Sequence, residues 1–116
     1  MSVDYSVDTI YGFKLNTDKV IDFIRDKNIN FYDFCEQVQE ETNCEMIYNN
    51  HYVDAKYCDI YFGIRFENRI TAANLYELEQ VRYEEVCDTL ISIFGSYEIV
   101  ENGEFEPEIH VVGVVW

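Results

Sequence analysis

The sequence predicts an α+β domain: an antiparallel or mixed sheet of about five strands with helices packed on one face. Three observations carry that expectation. Side chains alternate with a period of two over Tyr5–Leu15 and again over Tyr57–Phe66, as they do in half-buried strands. Apolar residues recur at helical spacing in the segments between and after those runs. Near the C-terminus an Asn102-Gly103 pair separates two further alternating runs. Such a pair suits the type I′ turn of a hairpin, whose two central residues both need positive φ.

The elements follow in order. In the first strand Tyr5, Val7, Thr9, Tyr11, Phe13 and Leu15 share one side, and Asp4, Ser6, Asp8 and Lys14 the other. Asn16 or Thr17 then caps a helix whose first turn carries Asp18, where the dipole favours an anion. Val20, Ile21, Phe23 and Ile24 form its inner stripe, and Asp18, Asp22 and Asp26 step along its outside. A second helix turns Phe31, Phe34, Cys35 and Val38 inward and Asp33, Glu36, Glu40 and Glu41 outward. A short strand is expected at Cys44–Tyr48, a loop or wide hairpin turn through Asn49–Lys56, and the clearest strand at Tyr57–Phe66.

A further helix begins between Thr71 and Gln80, with Asn74 and Glu77 spaced as a capping box. It continues through Tyr83, Val86, Cys87, Leu90, Ile91 and Phe94 and stops at Gly95, with Glu84, Glu85 and Asp88 opposite. The last run, Ile109–Trp116, is apolar on both sides and reads as a central strand. The order β-α-(α)-β-β-α-β-β is a ferredoxin-like plan with a divided first helix and an extra C-terminal hairpin strand. Residues 1–116 read as a single domain, large enough for a core without disulfides.

Charge is the outlying property. The chain has 23 acidic and 8 basic residues, a net charge of −15. Residues 83–116 hold 8 acids and no base. A field of that sign repels nucleic acid and anionic membranes and draws basic surfaces. No basic-plus-apolar leader and no apolar run near the ~20 residues of a membrane span is present, and the cysteines form no CxxC pair. A cytoplasmic protein with reduced thiols is expected. Cys44, His51 and Cys58 match no zinc-ligand spacing, so no metal or other cofactor is expected. With only His51 and His110, and no phosphate loop, nucleophile elbow or HExxH, the chain reads as a non-enzyme.

The acidic residues form rows. On a two-residue turn Glu101 would face Glu104, a like-charge pair that destabilises a hairpin. Beyond it Glu104, Glu106 and Glu108 would project on one side of an edge marked by Pro107. Crowding of this kind predicts carboxyl pKa values above the ordinary range. The candidate partner-binding residues are therefore Glu98, Glu101, Glu104, Glu106, Glu108, Glu84, Glu85, Asp88, Asp18, Asp22, Asp26, Glu36 and Glu40. A plainer reading takes them as surface charge that keeps the protein soluble and its strand edges unpaired.

In size, one-signed charge and lack of catalytic signature the chain resembles the phage-encoded DNA-mimic inhibitors of the anti-restriction and anti-CRISPR class. The resemblance is one of charge across the whole chain and includes no motif. It implies an acidic inhibitor acting in a host cytoplasm, occupying the basic groove of a nucleic-acid-binding protein such as a defence nuclease and binding no nucleic acid itself. The competing expectation rests on ten tyrosines. Tyrosine offers rigid contact area with a polar tip, which suits a protein–protein interaction module, an adaptor or a homodimer. Tyr32, Tyr52, Tyr76 and Tyr97 are its candidates for partial exposure.

Overall fold

The computed structural model of the chain describes residues 5–66, 72–77, 80, 82–101 and 106–115. Its elements are β1 (Tyr5–Leu15), α1 (Thr17–Asp26), α2 (Phe31–Glu41), β2 (Glu45–Tyr48), β3 (Ile60–Phe66), α3 (Ala72–Glu77), α4 (Tyr83–Phe94) and β4 (Glu108–Val115). The strands form one sheet in the order β2-β3-β1-β4, and every neighbouring pair is antiparallel.

Local chemistry sets the helix ends. The Asn16 side chain accepts a hydrogen bond from the Lys19 amide at 3.1 Å, and Asn30 does the same for Tyr32 at 2.8 Å, so α1 and α2 each start one residue later. Gly95 adopts a left-handed φ of 81° and returns its amide to the Ile91 carbonyl, ending α4. Helix α3 begins ahead of Asn74, so that residue is inside the helix and not at its cap.

The helices cover one face of the sheet. Val20 and Ile24 of α1, Phe34 and Val38 of α2, and Val86, Cys87 and Leu90 of α4 pack on Tyr11, Phe13, Leu15, Ile60, Phe62, Met46 and Tyr48. Phe94 joins the layers, with ring centroids 5.0 Å from Phe23, 5.9 Å from Phe34 and 6.0 Å from Phe62. Offset and edge contacts of this kind add to plain area burial.

The opposite face holds a smaller cluster of Ile10, Ile47, Val112 and Val114, with Tyr61 against it. Ile10 is fully buried there. Curling of the sheet accounts for this. The Val115 amide donates to the Asn49 carbonyl at 3.0 Å, and the His51 amide donates to the Val115 carbonyl at 2.8 Å. Val115 ends one edge strand and Asn49 follows the other, so the two edges meet at one corner and the small cluster lies in the concavity. The glycine pair Gly12 and Gly63, opposite each other in the β1–β3 ladder, permits the bend.

Two expectations are corrected. The run Ser96–Glu101 is not the first arm of a hairpin, because Tyr97–Ile99 form a 3-10 turn held by the Ser96 side chain. Of this run Val100 forms the backbone bridge to the sheet, at Leu15 of β1. The described sheet accordingly has four strands rather than five. Asn102, Gly103 and Glu104 lie outside the described residues. The final strand is an edge and not central: Val112 and Val114 are 3% and 1% exposed in the concavity, whereas Val111, pointing the other way, is 69% exposed. Its apolar residues are two-sided in sequence, but beyond Ile109 the deep burial is on one side.

Candidate anionic interface

The expected acidic rows have different fates. On α1, Asp18, Asp22 and Asp26 are exposed one turn apart, at intervals of ~6 Å. Their charge is locally balanced. Arg25 pairs with Asp22 at 2.6 Å, Lys19 donates to the Glu98 carbonyl at 2.9 Å, and Lys27 sits over the Phe23 ring at 4.9 Å. The aspartates step along the outside of α1 as the sequence predicts, but bases stand among them, so this row is compensated in part.

Helix α2 keeps its charge. Asp33, Glu36, Glu40 and Glu41 are all exposed, and the helix contains no Lys or Arg. The turn that follows it meets α4 through Asn43, which donates to Glu85 at 2.7 Å. Glu41, Glu85 and Asp88 line one shallow hollow with Thr42, Asn43, Thr89 and Ser92. Arg82 also reaches Glu85, at 2.7 Å. The Asn43 hydrogen bond, followed by that of Arg82, holds Glu85 below the ordinary carboxylate range. This is opposite to the direction that crowding predicts. Glu84 and Asp88 stay exposed.

The C-terminal acids gather at a second place. Glu101, Glu106 and Glu108 line a second hollow with Lys14 and His110. Lys14 lies 3.2 Å from Glu101 and 3.7 Å from Asp59. The hydrogen bond to Glu101 leads the effects that push Lys14 above its ordinary pKa. Burial raises the Tyr83 hydroxyl and the Cys87 thiol, and the Glu106 charge adds to the rise in both, so this carboxylate is a near neighbour of α4. The acids of α2, α4 and the C-terminal segment thus succeed one another around the molecule. Among the described residues Glu106 and Glu108 do not continue one strand, because Glu106 is in a bend, Pro107 is buried and Glu108 begins β4. Glu98 is exposed in the 3-10 turn.

Sequence reasoning missed Lys14 and Asp59 as members of the C-terminal cluster, since both come from other parts of the chain. It also missed an ion-paired group in the cleft between β2 and the corner. There Arg65 reaches Glu45 at 3.0 Å and Asp8 at 3.7 Å, beside Tyr48 and His51, whose rings stack at 4.0 Å. Burial lowers the His51 pKa, against an opposing effect of Asp8. The Cys58 thiol donates to the Asn50 carbonyl, and Cys44 is sealed in the helix-covered core. Among the described residues no set of His, Cys, Asp and Glu is arranged to hold a metal ion, and no helix is long and apolar enough to cross a membrane. Compared with known protein families, curated proteins and solved structures, the chain matches none.

Proposed function

We propose that the protein is a non-enzymatic acidic inhibitor that imitates a nucleic-acid strand and occupies the basic groove of a nucleic-acid-binding protein, such as a defence nuclease of a phage-infected cell. One observation carries this reading: exposed, largely uncompensated carboxylates run from Asp33, Glu36, Glu40 and Glu41 on α2, through Glu84 and Asp88 on α4, to Glu106 and Glu108. Carboxylates one helical turn apart stand ~6 Å apart along the axis, within a factor of two of the ~3.4 Å per charge of one DNA strand. The scaffold we infer for them is ferredoxin-like. The antiparallel order β2-β3-β1-β4, with helical crossovers after β1 and β3, supports that plan.

The test is capture on a panel of basic nucleases followed by competition with duplex DNA. Mimicry requires that DNA displace the protein and that affinity fall steeply with salt. A partner that holds the protein and DNA at once, or binding indifferent to salt, overturns it.

A second reading, an interaction module without mimicry, is favoured by the broad exposure of Tyr32, Tyr52, Tyr57 and Tyr76. Tyr97 is half-buried, edge-on to Phe13, and burial pushes its pKa up to about 12, so it offers less contact area than these four. On this reading Tyr32→Ala and Tyr52→Ala weaken partner capture while the salt dependence stays shallow.

A further inference from the structure

The outer edge of β4 is an unprotected strand. Val115 turns its N–H and C=O outward to Asn49 and His51. Alternation along an antiparallel ladder then turns the backbone groups of Gly113, Val111 and Ile109 outward as well, while Val114, Val112 and His110 bond to β1. No described backbone group meets the outward donors and acceptors of Val111 and Gly113, and a methyl group built on Gly113 would touch nothing. Beside this edge Val111 and Val7 are 69% and 71% exposed. From Ile109 to Val115 the chain carries no Asp, Glu, Lys, Arg or Pro, so this edge lacks the charges and prolines that commonly blunt one. The opposite edge, β2, is only four residues long and pairs Glu45 with Arg65.

We propose that residues 109–113 are a self-association site, at which two copies of this chain pair β4 to β4 in antiparallel register about a twofold axis at Val111. In this register Val111 exchanges both hydrogen bonds with its counterpart in the second copy, and Ile109 exchanges with the second copy's Gly113. The exposed valines then meet across the axis. Charge favours this occupant at this place. The window is neutral in a chain of net charge −15. The twofold also keeps the two Glu108 carboxylates six residues apart along the ribbon, ~20 Å, beyond the ~8 Å Debye length at physiological salt. The bend at Glu106 and the buried Pro107 take the chain off the edge line where the second copy's 49–51 loop arrives.

This inference is independent of mimicry, and salt separates the two: screening weakens capture of a basic partner but strengthens association of two like-charged copies. Sedimentation equilibrium at low and high salt should show a monomer–dimer equilibrium that shifts toward dimer as salt rises. Val111→Pro removes only an outward N–H, so the fold should survive, as checked by thermal melting. The central pair of inter-copy bonds is lost, and the dimer dissociation constant should rise about tenfold or more. Amide exchange at Val111 and Gly113 should slow with protein concentration in the wild type. A folded protein that stays monomeric at high concentration and high salt overturns the proposal. So does a dimer untouched by Val111→Pro, and so does protection of these amides only when a basic partner protein is added.

Discussion

Gly12 and Gly63 face each other across the β1–β3 ladder, and neither position has room for a side chain. A Cβ on Gly12 would run into the Phe62 carbonyl, and one on Gly63 into that of Tyr11. Backbone stands in the way at both sites, so the clash cannot be relieved by rotating a neighbour. Gly12→Ala should therefore destabilise the fold by about 3 kcal/mol. Gly113→Ala, in open space on an edge strand, should stay within ~0.5 kcal/mol of wild type. Urea denaturation of the two variants checks the contrast.

Glu85 makes stability sensitive to acid. Its folded pKa is lowered from 4.5, first by the Asn43 hydrogen bond and then by that of Arg82. The resulting stabilisation is complete above the unfolded value and is lost as pH falls through the folded one. Glu85→Gln should cost about 1 kcal/mol at pH 7, a modest value for a pair near the surface. The two proteins should converge below pH 4, as read from melting temperatures across that range.

The thiols should be inert. Burial pushes Cys35 up to about 12 and Cys44 to about 11, and raises Cys58 and Cys87 as well. Because the thiolate is the reactive form, alkylation of the native protein at pH 8 should be at least ~10-fold slower than in urea. A cysteine that labels rapidly in the native state would mark a site opened by local motion.

Partner capture, where it occurs through mimicry, should depend on which acids are removed. Glu84→Gln with Asp88→Asn takes charge from the uncompensated run on α4. Asp22→Asn with Asp26→Asn takes the same formal charge from α1, where Arg25, Lys19 and Lys27 already stand among the acids. The first pair should weaken binding about tenfold at low salt and flatten its salt dependence, and the second should change it little. Binding isotherms at several salt concentrations distinguish them.

The elements with strong local signals were legible in the sequence. Period-two alternation located β1 and β3, and cap residues located the start of α1 and the end of α4. Misreadings arose where the deciding contact was long-range. The alternation of Ser96–Glu101 reflects a single bridge from Val100 to Leu15, not a ladder. The apolar run of β4 reads as a central strand because nothing local reveals a concave sheet whose inner lining takes Val112 and Val114. For the candidate interface, helical periodicity correctly exposed the α2 acids, but charge compensation is a three-dimensional property. Lys14 joins Asp59 and Glu101 only once β1, the start of β3 and the 3-10 turn are assembled.

The register that places Tyr5 opposite Val115 also determines how the chain must find its shape. The central strand recruits one of its two partners from the far end of the sequence, so the β1–β4 pairing closes the largest loop in the molecule and should come late and slowly in folding. A circular permutant that joins residue 115 to residue 5 through a short linker, and opens the exposed Lys27–Asn28 turn, would convert that closure into a local hairpin. Stopped-flow refolding of the permutant should be faster than that of the natural connectivity.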